Sequence, residues 1–312
     1  MDKIAVLIPC YNEEHTVREV IRGFREVLPE AVIYVYDNNS TDRTAEYASA
    51  EGAVVRYEPR QGKGNVIRRM FREINAECYI LVDGDMTYSP TDATGMVKII
   101  QSHQAEMVVG DRMTSGYLTE SKRRFHKTGN RLVTRTVNRL FHTDYRDVMT
   151  GYRGLSYVFV KSFPALSREF EVETEMSIHA ADNDLPIANL EIDYRERTGE
   201  SRSKLQTVPD GLKVLLMIGK MFRLYRPFGF YTSIALVLAV VSTLFLIPVI
   251  TEYRETGLVE RFPTLIVCCF TYLAALLSMC AGVILQALRS KERREFEIVV
   301  KRLRETEDRE RG

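Results

Sequence analysis

The chain of 312 residues contains no tryptophan and only 5 histidines and 5 cysteines. Without tryptophan, no motif built on an indole is available. The cysteines, Cys10, Cys78, Cys268, Cys269 and Cys280, show neither C-x-x-C spacing nor a company of histidines. That excludes zinc-finger and disulfide frameworks and leaves reduced packing residues. Neither sign of charge is in excess, since 43 lysines and arginines stand against 42 aspartates and glutamates. The overall basic field that marks a nucleic-acid binder is therefore missing, and no nucleic-acid partner is expected. The apolar run in "MDKIAVLIPC" is too short for a signal peptide and leads straight into polar "YNEE", so it reads as a buried strand.

Long uncharged runs are present towards the other end. Residues 228–250, "FGFYTSIALVLAVVSTLFLIPVI", and residues 262–288 each lack a formal charge, and each exceeds the ~20 residues that cross a ~30 Å hydrocarbon core as a helix. Globular helices of that length usually carry a charged face, so a hairpin of two transmembrane helices is predicted. Lys213, Lys220, Arg223 and Arg226 precede the first run, and Arg289, Lys291, Arg293 and Arg294 follow the second; the connection between them is slightly acidic. By the positive-inside rule both termini are predicted on the cytoplasmic side of the cytoplasmic membrane. Residues 208–227 read as a juxtamembrane amphipathic helix, and residues 289–312 as a charged helix, solvated or self-associating.

Residues 1–207 read as one cytoplasmic domain. The β-branched runs "IAVLI", "AVIYVY", "AVVRY" and "YILV" alternate with helical patterns near residues 13–27, 41–51 and 63–75. This predicts an α/β fold with a mostly parallel, Rossmann-like sheet. A further strand in "EMVVGDR" is followed by a basic segment, the loop "DVMTGYRG", the acidic helix "FEVETEMSIHAADND", the strand "IANLEIDYRER" and the polar loop "TGESRSKLQT".

Ligands of such sheets bind outside the carboxyl ends of the strands, where "PCYNEE", "DNNSTDRT" and "DGDMTYS" stand. Asp37, with Asn38 and Asn39, suits a base or ribose, while Ser40, Thr41 or Asp42 can cap the next helix. In "QGKGNVIRR" glycines flank Lys63 at a helix start, where backbone N–H groups and a cation meet an anion, or where the chain merely turns tightly. Asp83 and Asp85 in "LVDGDMTYSP" are hard oxygen ligands one residue apart. They suit Mg²⁺ or Mn²⁺ with positions left open for phosphate; without a cation they would repel one another. A capping turn is the alternative.

Taken together, "IPCYNEE", "YDNNSTDRT", "GKGNVIR", "VDGDMTY", "DVMTGYRG" and "ETEMSIHA", followed by two membrane runs, resemble the family 2 glycosyltransferases of the polyprenyl-phosphate type, the group that includes dolichyl-phosphate mannose synthase. The resemblance implies a GT-A fold and an inverting, metal-dependent transfer of one sugar from a nucleotide diphosphate sugar, UDP favoured, to a polyprenyl phosphate. The product would be a lipid-linked monosaccharide for the cell envelope. Pro9, Tyr11, Glu13 and Asp37 would line the nucleotide pocket, joined by Asn39, Lys63, Asp83 and Gly84. Asp83 and Asp85 would bracket Mg²⁺ or Mn²⁺, with Asp85 at the catalytic centre. Relatives often carry glutamine two residues beyond the second aspartate; here stands Thr87, whose hydroxyl would be the third ligand.

Two acidic places compete as general base, Asp147 and the pair Glu173 and Glu175. A lipid phosphate is already ionised near neutral pH and needs positioning more than deprotonation. Arg112, Arg124, Lys127, Arg131, Arg197, Arg202 and Lys204 supply cations for that phosphate, or face anionic head groups. A processive polysaccharide synthase would carry Q-x-x-R-W, which a chain without tryptophan excludes. A nucleotidyltransferase would have a glycine-rich N-terminal phosphate loop and no need of two spans. A membrane-anchored transferase with another acceptor, or a non-catalytic sugar-nucleotide-binding membrane protein, are the remaining alternatives. A dimer or tetramer is compatible with the paired spans.

Overall fold

The computed structural model describes residues 1–112, 124–167, 171–195, 219 and 222–311, side chains of 124–129 and 311 excepted. They form two compact units: Met1–Asp210 together with Phe296–Gly312, and Gly211–Glu295.

In the first unit, β1 (Asp2–Cys10), β2 (Val32–Asp37), β3 (Val54–Tyr57) and β4 (Ala76–Leu81) run parallel, linked through α1 (Val17–Val27), α2 (Thr44–Ala50) and α3 (Lys63–Glu73). Then follow α4 (Ala93–Gln101), β5 (Met107–Asp111), α5 (Arg124–Phe141), β6 (Arg153–Ser156), α6 (Tyr157–Ser162), α7 (Val172–Asp182) and β7 (Ile187–Glu191). The sheet order is β3-β2-β1-β4-β6-β5-β7. Ile4, Ala5, Val6, Leu7 and Ile8 are all 0% exposed. β1 reads as an unbroken apolar run because it is central and covered on both faces. Val17, Val20, Ile21 and Phe24 recur at helical spacing and bury one face of α1 in that core.

The expected helix over 13–27 begins only at Val17, because residues before it build the site described below. The other difference is larger. "DVMTGYRG" was expected as a loop throughout, yet its last two residues open β6, which runs antiparallel between β4 and β5. "RGLS" has no alternation to announce a strand; it becomes one by filling the gap between two strands already formed. A Cβ at Gly154 would stand 3.0 Å from the Met96 Cβ, so glycine there lets α4 approach β6 closely.

α8 (Pro227–Thr256), in the second unit, and α9 (Phe262–Arg311), which begins there, have 30 and 50 residues, and both are long and apolar enough to cross a membrane. α8 opens with proline in its first turn and closes on Gly257 in the left-handed conformation, φ 70°. Small and polar residues bring the two helices together: the Ser242 hydroxyl donates to the Cys268 carbonyl at 3.0 Å, and Ser278 to the Tyr231 carbonyl at 3.1 Å. The expected amphipathic helix at 208–227 lies mostly outside the described residues.

The end of α9 belongs with the α/β unit. Val300 and Glu307 are buried, and Arg304 bonds Glu106 at 3.2 Å. The tail expected to be solvated or self-associating thus has one covered face within this unit. Phe296 meets His179 edge-on at 5.4 Å, and Phe159 and Phe163 close around the same ring. Burial pushes the His179 pKa down to about 4. Since the folded value lies below the unfolded one, its stabilisation is complete above the unfolded pKa of about 6.5 and is lost as pH falls towards 4, up to about 3 kcal/mol. Melting curves at pH 7 and 4.5 should show a drop that His179→Leu reduces; equal drops in both proteins would contradict it.

Candidate active site

The ends of β1, β2 and β4 are tied into one edge. The Asn38 N–H reaches the Cys10 carbonyl at 2.9 Å, and the Val82 N–H the Leu7 carbonyl at 3.1 Å. The Asn12 carboxamide oxygen accepts the Thr41 N–H at 2.8 Å, and the Thr16 hydroxyl donates to the Gly84 carbonyl at 2.7 Å. A Cβ at Gly84 would stand 2.8 Å from the Cys10 Sγ. Gly84 therefore lets the aspartate loop lie against β1. Burial, and then the charges of Glu13, Asp37, Asp83 and Asp42, push the Cys10 thiol pKa well up. Those carboxylates lie at or just past the carboxyl ends of β1, β2 and β4, the edge where ligands of such sheets bind.

Asp37 is 4% exposed. Its Oδ2 accepts the Ser40 N–H at 3.1 Å, while its Oδ1 is buried with no hydrogen-bond partner. An orphan buried acceptor costs about 1–3 kcal/mol, which a ligand donor would recover. Pro9 is half-buried and Tyr11 exposed on the same edge. Asn39 turns elsewhere: its amide donates to the Pro59 carbonyl at 2.8 Å, bracing a loop. Buried Asn38 braces the same loop, bonding the carbonyls of Glu58 and Arg60 at 2.8 and 2.9 Å and accepting the Gly62 N–H at 2.8 Å. It thereby sets the start of α3.

The residue after Gly62 is Lys63, read in the sequence as a cation for a nucleotide. Its ammonium instead lies between two carboxylates, 2.5 Å from Asp83 Oδ1 and 2.6 Å from Glu173 Oε1. Burial opposes its charge, but Asp83 and Glu173 hold its pKa well above the ordinary lysine value. Gly151 backs this cluster, for a Cβ there would stand 2.5 Å from Asp83 Oδ2 and 3.1 Å from the Lys63 Nζ.

Asp85 accepts the Thr87 hydroxyl at 2.6 Å and its N–H at 3.2 Å. Thr87 is 2% exposed, so it orients Asp85 from behind, where the sequence suggested a third ligand. Asp83 and Asp85 are partly exposed hard oxygen donors, and among the described residues no three acidic, histidine or cysteine side chains gather as a metal cage. This donor set fits a divalent cation that keeps most of its coordination for phosphate oxygens.

Asp147 is arranged differently from a general base. It is 0% exposed, receives Arg112 through two bonds at 2.7 and 3.1 Å, and also accepts the Asn130 amide at 2.9 Å and the Met149 N–H at 3.2 Å. Burial alone would raise its pKa; Arg112, Asn130 and Met149 overcome that and hold it below the usual carboxylate range. A base needs the opposite, an accessible lone pair and a raised pKa. Asp147 therefore anchors Arg112, whose guanidinium also lies 5.4 Å from the Tyr194 ring centroid.

Arg153, which the sequence reading passed over, is fully buried and bonds the Thr150 and Val148 carbonyls at 3.1 and 2.7 Å and the Ser177 hydroxyl at 2.9 Å. It fastens the Asp147 loop to α7. A lone arginine opening an otherwise uncharged strand is the signal that marks it. Glu175, the other acidic candidate on α7, accepts the N–H groups of Leu166 and Ser167 at 2.9 Å each. Arg131 is exposed on α5. The side chains of Arg124 and Lys127, and all of Arg197, Arg202 and Lys204, lie outside the described residues.

The model of the family described as Glycosyl transferase family 2 matches residues 5–163. Glycosyltransferase AglJ of Haloferax volcanii is 30% identical over 237 residues, covering 75% of this chain and 76% of that protein. The dolichyl-phosphate hexose transferase of the same organism is 28% identical over 202 residues, 64% of this chain and 86% of that one. Among solved structures, glucosyl-3-phosphoglycerate synthase from Mycobacterium tuberculosis with UDP superposes with a TM-score of 0.56 at 21% identity, covering 71% of this chain and 79% of that one. The same enzyme with Mn²⁺, UDP and phosphoglyceric acid gives 0.55 at 20% identity, again over 71% of this chain and over 78% of that one. These superpositions establish a GT-A-like α/β fold.

Proposed function

Since the chain belongs to glycosyl transferase family 2 and is a glycosyltransferase, we propose that it moves one sugar from a UDP-sugar to a polyprenyl phosphate at the cytoplasmic face of a membrane. The observation that carries this is that Glu13, Asp37, Asp83 and Asp85 stand at or just past the ends of the adjacent parallel strands β1, β2 and β4, on one sheet edge, with Asp85 turned by Thr87. Asp37 Oδ1 takes a donor group of the base or ribose. Asp83 and Asp85 hold Mg²⁺ or Mn²⁺, which when bound offsets the charge that develops on the departing diphosphate. Metal and UDP together in the solved neighbour support this pairing.

The acceptor rests on two supports: relatives named for dolichyl-phosphate transfer, and two helices apolar enough to reach the lipid. Withdrawing a polyprenyl chain from the bilayer costs about 0.8 kcal/mol per methylene, so the catalytic unit must come to the membrane. An acceptor phosphate oxygen attacks the anomeric carbon as the bond to the β-phosphate oxygen breaks, with inversion and release of UDP. No proton has to be removed from such a nucleophile, which accords with the closed carboxylate of Asp147.

The test is a transfer assay on detergent-purified protein with undecaprenyl phosphate, Mn²⁺ or Mg²⁺, and labelled UDP-glucose, UDP-N-acetylglucosamine or GDP-mannose, each alone. Label from one UDP-sugar should enter an organic-soluble, acid-labile product. Product from GDP-mannose alone would overturn the nucleotide, and label confined to the aqueous phase the acceptor.

A further inference from the structure

Glu173 stands in the first turn of α7, 5% exposed, and its hydrogen bond is to Lys63 through Oε1. Its Oε2 is buried without a hydrogen-bond partner. A carboxylate kept for packing or for capping would be expected to satisfy both oxygens, as Glu175 does on the same helix with the N–H groups of Leu166 and Ser167. Glu173 is instead directed at one cation, and that cation at Asp83.

We propose that Glu173 is a positioning residue for the metal carboxylate, acting through Lys63. This rests on the reading of Asp83 and Asp85 as ligands of a divalent cation. The reason is charge. Lys63 alone against Asp83 would make a neutral pair, and an aspartate so matched is a poor ligand for a second cation. Glu173 takes a share of the ammonium, so the trio Asp83, Lys63 and Glu173 carries a formal charge of −1 and Asp83 still presents net negative charge beside Asp85. Lys63 in turn keeps Asp83 from being repelled by Asp85 before the cation arrives. Two further residues fix the geometry: Asn38 sets the start of α3 through the Gly62 N–H, and Gly151 leaves the space in which Asp83 meets Lys63, since a Cβ there would stand 2.5 Å from Asp83 Oδ2. The link reaches from the metal carboxylate to α7, 110 residues along the chain from Lys63.

Partners one bond removed from a metal ligand typically change affinity ~10–100-fold when removed. Mn²⁺ binding to the full chain in detergent is read by the loss of the free-ion electron paramagnetic resonance signal, with and without UDP. Glu173→Gln should weaken Mn²⁺ binding roughly tenfold, whereas Glu175→Gln, which removes an equal charge from the same helix, should leave it unchanged. Glu173→Asp keeps the charge and should recover most of the affinity; it also serves if the glutamine variant fails to fold. A helix-dipole role for Glu173 would instead move the melting temperature and leave Mn²⁺ affinity alone, which overturns the proposal. Equal affinity in Glu173→Gln and the parent protein does the same. If the parent protein itself holds no Mn²⁺ in either condition, the reading of Asp83 and Asp85 as ligands fails, and this inference with it.

Discussion

Asp85→Ala removes sugar transfer, by at least about 10³-fold, together with metal-dependent nucleotide binding, while the fold survives. The magnitude follows from what a divalent cation contributes to a departing diphosphate, several kcal/mol of transition-state stabilisation, at about 1.4 kcal/mol for each factor of ten. The fold survives because Asp85 lies in a loop after β4, is partly exposed, and makes its bonds to Thr87 within a single turn. Leaving the Thr87 hydroxyl without an acceptor costs about 1 kcal/mol, which lowers the melting temperature by a few degrees at most. Full activity of the parent protein in EDTA would remove the metal from the mechanism. Full activity of Asp85→Ala with metal present would remove this ligand.

Asp147→Ala fails for a different reason, and the contrast separates a base from an anchor. The change leaves the Arg112 guanidinium, whose side chain is 20% exposed, without the carboxylate that receives it through two bonds. Stranding one partner of a buried ion pair costs about 3–5 kcal/mol. For a unit of this size that is a fall in melting temperature on the order of 10 °C. A general base replaced by alanine would lose turnover with stability nearly intact. Thermal unfolding and turnover measured on the same Asp147→Ala preparation decide between them. A loss of turnover with no change in melting temperature would restore Asp147 as a base candidate.

The two substitutions also mark where the sequence was legible. Asp83 and Asp85 sit just past an apolar run, and two hard carboxylates at the end of a strand suggest a chemistry whatever the rest of the chain does. The structure keeps them partly exposed on the expected edge. Asp147 stands in a stretch with no periodicity, "DVMTGYRG", and its acid–base character depended on whether a cation would meet it. Arg112 does so from 35 residues away. No local pattern announces that pairing.

Other site residues divide in the same way. Pattern alone suffices for the order of the first four strands and their helices, the apolar face of α1, and two helices that exceed the span of a bilayer, because each depends on residues within one element. The separations that matter elsewhere are long: Lys63 to Glu173, Arg153 to Ser177, Arg304 to Glu106. Sheet order decides these. Once β6 enters antiparallel between β4 and β5, it carries Gly151 and Arg153 to the back of Asp83 and against α7, and Lys63 finds its second carboxylate there. A sequence records which side chains can ionise, but burial and partners decide whether each becomes a ligand, a base or a counter-charge. For Asp83 and Asp85 the sequence alone was enough to suggest a chemistry and to place them on the sheet edge. For Lys63, Asp147 and Glu173 only the tertiary structure showed the partners, and the free energy of a buried charge is set by such neighbours, which the chain brings in from elsewhere.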